Sequence, residues 1–147
     1  PAFGRGEYIK WKNHTVLLQL VKNPAGFNQI IQTLQTVEMD SVAILINDQI
    51  ADGRDVSWLW DVGIAAIAQW QSFPGHIYTG GTRSYDMTLR LKYENIKSTS
   101  FSNLQSLLNS LNSTKKSQKI AVVATYTAML QIRAMLVGQS DAEEFWK

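Results

Sequence analysis

The 147-residue chain has no cysteine, only two histidines and three prolines, and almost no surplus of charge, with 14 Lys and Arg against 12 Asp and Glu. Without cysteine there is no disulfide, no thiolate zinc site and no cysteine nucleophile. His14 and His76 alone cannot supply the protein ligands of a closed zinc site, so no metal centre is expected. The balanced charge leaves no concentrated basic face of the kind that dominates phosphate-backbone binding, and nucleic acid is not implied. Long apolar runs are missing too. Ala43 to Ile46 and Ile64 to Ala68 fall far short of the roughly 18 residues that span a bilayer, and the N-terminus carries no signal-peptide core. The chain opens on Pro1 rather than Met, as expected of a piece of something longer. With 45% hydrophobic residues, it can bury one sizeable core without covalent staples.

The apolar pattern predicts a lead-in over 1–13, an α/β domain over 14–137 and a tail over 138–147. His14 to Val21 is a nearly continuous apolar run, as in a strand buried on both faces of a parallel sheet. It stops at Lys22-Asn-Pro-Ala-Gly26, and from Phe27 the spacing turns helical through Ile30, Ile31, Leu34 and Val37, with Pro24 suited to a first helical turn. Ser41 to Ile46 reads as a second strand. Val56 to Trp70 fits either a helix or a short extended piece followed by a helix. His76 to Thr79 is a third strand after the Pro74-Gly75 break.

Tyr85, Met87, Leu89, Leu91 and Tyr93 alternate as a strand would. A helix capped by Ser84 is nevertheless expected there, because it keeps strand and helix in alternation. Leu104, Leu107, Leu108 and Leu111 predict a helix between polar loops, Lys119 to Ala124 a fourth strand, and Thr125 to Leu136 a final helix. The tail is expected to leave the core, with Phe145 and Trp146 able to dock back. The expected architecture is a Rossmann-like, open, mainly parallel sheet with helices on both faces, whose ligands gather at the carboxyl ends of the strands.

Three loops fall at those ends. Lys22 to Gly26 precedes a helix N-terminus that favours an anion, although an ordinary strand-to-helix turn uses the same residues. Gly80-Gly-Thr-Arg-Ser84 follows the same logic, with Thr82 and Arg83 as anion-binding candidates, and matches neither a dinucleotide fingerprint nor a Walker loop. The segment Asn47 to Asp61 holds four aspartates and two tryptophans. It fails as a calcium loop, because placing Gly53 at the central position puts Ile50 and Leu59 where ligands belong. Its Asp-Gly-Arg-Asp turn can present a carboxylate to a histidine. His14 and His76 start strands and read as solvated or capping residues, so a histidine for Asp55 would come from another protein. Trp58, Trp60 and Trp70 suit a core or a partner surface.

Leu20 to Asn28, Ile46-Asn-Asp48, Ala51-Asp-Gly-Arg-Asp-Val-Ser-Trp-Leu-Trp-Asp61, Thr79-Gly-Gly-Thr-Arg83 and Leu89-Arg-Leu-Lys92 together resemble the C-terminal domain of the MurT family, the Mur-ligase-like subunits of lipid II isoglutaminyl synthase. The resemblance runs from about Gly4 to Leu136. It implies a Mur ligase C-terminal fold and a role in ATP- and glutamine-dependent amidation of the D-glutamate α-carboxyl of lipid II, at the inner face of the cytoplasmic membrane. It also implies a class I glutaminase partner of the GatD type, whose cysteine and histidine are completed by Asp55. Asp52, Arg54 and Trp58 would lie at that interface, and Lys22, Asn23 and Asn28 would contact ATP. ATP and Mg2+ belong to the full-length complex, with no tight binding expected of this domain alone. The family usually continues after Asp61 with acidic residues and Phe-Glu, where this chain has Val62 to Ala65. A non-catalytic docking domain and an independent nucleotide-binding domain are the alternatives.

Overall fold

The computed structural model describes the backbone of residues 5–70 and 76–146 and the side chains of 6–70 and 76–139. Strands β1 (Arg5–Trp11), β2 (His14–Leu20), β3 (Ser41–Leu45), β4 (His76–Gly80), β5 (Thr99–Ser100) and β6 (Lys119–Ala124) form one sheet in the order β1-β2-β6-β3-β4-β5. All neighbours are parallel except β1 and β2, which form an antiparallel hairpin. The lead-in thus supplies an edge strand. The helices are α1 (Pro24–Gln35), α2 (Ser84–Tyr93), α3 (Leu104–Leu111) and α4 (Tyr126–Trp146).

Side chains alternate across the sheet and feed two cores. Leu17, Val42, Ile44, Ile46, Ala121 and Val123 face α1 and α2. Val16, Leu18, Ala43, Leu45, Ile120 and Val122 face α3 and α4. Burial on both faces is what a near-continuous apolar strand requires.

Local chemistry sets the element ends. Pro24 occupies the first turn of α1, and Asn23 caps it by accepting the Gly26 amide at 2.8 Å. Asn103 caps α3 in the same way through the Ser106 amide. Helix α2 forms as expected, but Ser84 is its first residue, and Arg83 stands at the cap without a side-chain cap bond. Helix α4 continues past the expected stop at Leu136 and runs through Gly138, since one glycine inside a helix costs about 1 kcal/mol against alanine without ending it. The Pro74-Gly75 break and the docking of Phe145 and Trp146 lie outside the described residues.

The stretch after Val56 is neither expected form. Ser57–Asp61 and Ile64–Gln69 are 3-10 helices. Their buried residues recur every third position, Val56, Leu59 and Val62, then Ile64, Ile67 and Trp70. Three residues per turn stacks each triplet on one side, a spacing that a helix of 3.6 residues per turn would smear.

His14 also departs from expectation, being fully buried rather than solvated. Its Nδ1 accepts the Gln118 amide at 3.0 Å, which puts the ring proton on Nε2, where it is donated to Asn112 Oδ1 at 2.9 Å. The ring therefore ties the start of β2 to the end of α3.

At the carboxyl edge, Gly81 has φ +90°, and a Cβ there would strike the Ile46 carbonyl and Asn47 Oδ1. Gly81→Ala is expected to cost about 2 kcal/mol or more, read as a lower urea midpoint. An unchanged midpoint would show that the β4–α2 turn has room to yield.

Candidate functional site

The carboxyl ends of β3, β4 and β6 converge on Asn47, which is almost wholly buried. Its amide N–H donates to Thr125 Oγ1 at 2.9 Å, its Nδ2 to Thr127 Oγ1 at 2.8 Å, and its Oδ1 accepts the Thr82 amide at 2.9 Å. One side chain thereby ties the loops after three strands. The next acid, Asp48, accepts the Thr82 hydroxyl at 2.9 Å and Arg83 Nη1 at 3.2 Å.

Arg83 also grips Asp86 bidentately, at 2.7 and 3.0 Å. Thr82 and Arg83 were expected to receive an external anion; the anions they hold are the chain's own Asp48 and Asp86. Both carboxyls lie below the ordinary range, Asp48 through the Thr82 and Arg83 hydrogen bonds and Asp86 through Arg83, while the Arg83 guanidinium is pushed further up, chiefly by Asp86.

Asp52 accepts the Gln49 amide at 3.0 Å, the Thr127 amide at 2.7 Å and the Thr127 hydroxyl. It caps the start of α4 from a distant loop, so its carboxylate works inside the chain. Asp55 does the opposite. It is exposed, and its Oδ1 accepts the Ser57 amide at 2.8 Å, an Asx turn that aims the carboxylate outward. The Ser57 backbone and hydroxyl, with Arg83 nearby, hold its pKa below the usual value, so it is ionised at neutral pH. Asp55 shares a cavity of about 200 Å³ with Arg54, Trp60, Arg83 and Asp86.

Arg90, unmarked by any motif, fixes the floor of this site. Buried among apolar side chains, it donates through Nε to the Leu59 carbonyl at 3.0 Å, through Nη2 to the Val62 carbonyl at 2.8 Å and through Nη1 to Glu94 at 3.0 Å. Its guanidinium also lies 5.2 Å from the Trp60 ring centre. Trp60 itself is 45% exposed and meets Tyr93 edge-to-face at 4.9 Å. Trp58 turns inward against the core near Phe27, and Trp70 is buried, donating to the Ile31 carbonyl at 3.0 Å. Val62 and Ile64, where the sequence leaves the family pattern, are core residues.

At the neighbouring turn, Lys22 is exposed beside the start of α1. Asn23 Oδ1 is engaged by Gly26, and Asn28 Oδ1 accepts the Gly63 amide at 2.8 Å, bracing the second 3-10 helix. Both histidines lie at the opposite edge of the sheet, since His14 begins β2 and His76 begins β4. Five-residue strands at roughly 3.3 Å per residue put on the order of 15 Å between the two edges. Among the described residues, no three His, Asp or Glu converge as a metal site, and no helix is long and apolar enough to cross a membrane.

Arg90→Met strips the guanidinium bonds from two carbonyls that each keep one backbone amide, from Val62 and Ile64, so a loss of about 1–3 kcal/mol is expected by urea denaturation. Arg90→Lys should recover only part, because a single ammonium cannot reproduce the fork. A second expectation concerns acid. Depressed carboxyl pKa values contribute stability above the unfolded value of about 4 that disappears as pH falls through the folded value. Arg83→Gln should therefore lower the urea midpoint at about pH 6, with the gap closing toward about pH 2; a gap independent of pH would remove Arg83 from this linkage.

A family model described as MurT ligase C-terminal matches residues 20–129. The MurT subunit of lipid II isoglutaminyl synthase (glutamine-hydrolyzing) from Streptococcus pneumoniae is 33% identical over 142 residues, covering 94% of this chain and 31% of that protein. The corresponding Staphylococcus aureus subunit is 35% identical over 95 residues, covering 64% and 21%. The chain thus spans about a third or less of the length of these relatives. Among solved structures, E. coli FolC in complex with ADP aligns with a TM-score of 0.60 at 11% identity, covering 95% of this chain and 33% of that one. MurF from Acinetobacter baumannii aligns at 0.59 with 17% identity, covering 95% and 31%. At such identities these two establish the fold, an α/β domain of the Mur ligase and FolC C-terminal type.

Proposed function

The chain belongs to the MurT ligase C-terminal family, and from that membership we propose that it is the C-terminal domain of a MurT subunit of lipid II isoglutaminyl synthase. In this reading the full-length subunit pairs with a class I glutaminase of the GatD type. Together they use ATP and glutamine-derived ammonia to amidate the D-glutamate α-carboxyl of lipid II at the cytoplasmic face of the membrane. The relatives' names, subunits of a glutamine-hydrolyzing synthase, support it.

Asp55 carries the proposal. It is an ionised, exposed carboxylate fixed by its own turn, in a chain without cysteine and with both histidines at the far edge of the sheet. Such a group suits orienting and stabilising a partner's imidazole while that imidazole activates a thiol. Arg54, exposed beside it, is the direct interface contact, while Asp52 and Trp58 act from within by holding the turn.

The Lys22 turn fits one edge of a nucleotide site rather than a whole one, since Asn23 and Asn28 already spend their amide oxygens inside the chain. Lys22 would meet phosphate, with Asn23 and Asn28 holding the turn that presents it. Bound ATP would supply carboxyl activation as an acyl phosphate, with Mg2+ held by the other domains.

The test is glutamine hydrolysis by the cognate glutaminase with the full-length subunit and with its Asp55→Asn form. The variant should bind as the parent does and lose hydrolysis by about 10³-fold or more, the scale seen when the orienting acid of a triad is lost. If the variant stimulates hydrolysis as well as the parent does, Asp55 is no triad member. If binding and hydrolysis fall together, the loop is a docking element.

A further inference from the structure

The alternation Tyr85, Met87, Leu89, Leu91, Tyr93, strand-like in sequence, has a specific cause once it is wound into α2. At 100° per residue, Met87 and Leu91 fall on the buried side, while Tyr85, Leu89 and Tyr93 form one stripe on the side facing away from the sheet. That side of a surface helix is ordinarily charged. Here Tyr85 is 78%, Leu89 38% and Tyr93 68% exposed. The stripe does not end with the helix. Tyr93 stacks edge-on against Trp60, and Trp60 and Asp86 line the same cavity as Asp55.

We propose that this second apolar face of α2, continued by Trp60, is the docking surface for the glutamine-hydrolysing subunit that brings its imidazole to Asp55. The inference rests on the Asp55 reading above and names the surface by which that same partner is held. Continuity selects the occupant. An imidazole that reaches the Asp55 carboxylate enters a cavity walled by Trp60, so the protein that carries it covers Trp60 and meets Tyr93 and Leu89 next. Exposed Trp and Tyr beside a polar site are also the residue types that dominate binding energy in protein interfaces. The expected partner surface offers apolar side chains to the stripe and its histidine at the rim.

The experiment uses the full-length subunit and its cognate glutaminase, with Leu89→Lys, the milder Leu89→Gln, and Asp55→Asn as the contrast. Both Leu89 substitutions lie on an exposed helical position, and thermal melts check that the fold is kept. The expected result is a Kd raised tenfold or more by Leu89→Lys and by less in Leu89→Gln, with hydrolysis restored at saturating glutaminase. Asp55→Asn should show the reverse, intact binding without hydrolysis.

Parent affinity in both Leu89 variants overturns the docking face and leaves the triad reading standing. Weakened binding by Leu89→Lys alongside a fully active Asp55→Asn removes the triad reading and leaves the face. If Leu89→Lys lowers the melting temperature of the full subunit at parent affinity, another domain of the same chain covers the stripe. If it abolishes self-association instead, a second copy does; either result overturns the proposal.

Discussion

A single buried guanidinium holds the working loop in shape. Where the two 3-10 helices meet, the Leu59 and Val62 carbonyls each accept one backbone amide, from Val62 at 3.4 Å and from Ile64 at 2.8 Å, and keep a second lone pair for a side-chain donor. Arg90 reaches from α2 to the Leu59 and Val62 carbonyls and keeps its charge balanced by Glu94 at the solvent edge. A hydrophobic residue in its place would pack but leave each carbonyl with one partner instead of two and the loop without its tie to α2. The fork also sets the directions of the neighbouring rings, with Trp58 turned in against the core and Trp60 held out over Arg90.

The other end of the loop is tied as firmly. Asn47 joins the strand ends, and Asp52 caps α4, so this long polar excursion from the sheet is fastened at its entry, at its middle and, through Arg90, at its exit. Between those points the Asp-Gly-Arg-Asp turn projects with Gly53 at φ +84°. Asp55 is therefore exposed yet held. A carboxylate that must meet a group on another molecule needs both properties, because a mobile one would lose orientation on binding and a buried one could not be reached.

Much of this fold is legible in the residues. The unbroken apolar runs of β2, β3 and β6 announce a sheet covered on both sides, and Pro24 with Asn23 marks the start of α1. The 3-10 pair was legible too, in the three-residue recurrence from Val56 to Val62 and from Ile64 to Trp70, but a search for periods of 2 and 3.6 passes over it. Burial of His14 was not, since its partners Asn112 and Gln118 lie about a hundred positions away. For the same reason the spacing carries no sign of the carbonyl partners of Arg90, and Thr82 with Arg83 reads as an open anion cradle. Ion pairs such as Arg83 with Asp48 are made by the turn geometry, which one-dimensional spacing does not contain.

The closed state of that cradle has a consequence for Asp55. Arg83 lines the same cavity and, left alone, would be the nearest strong cation to pair with it. Instead its fork is filled by Asp86 and its remaining nitrogen by Asp48, an arrangement that holds the guanidinium back and leaves Asp55 to the Ser57 amide and hydroxyl, the chief causes of its lowered pKa. With Asp48 just behind, three carboxylates stand against Arg54 and Arg83, so the rim carries a net negative charge and favours an arriving imidazolium over another anion. The acids that look redundant in the sequence therefore have separate tasks. Asp52 builds the helix start, Asp48 and Asp86 occupy the arginine, and Asp55 remains available because the others are committed elsewhere.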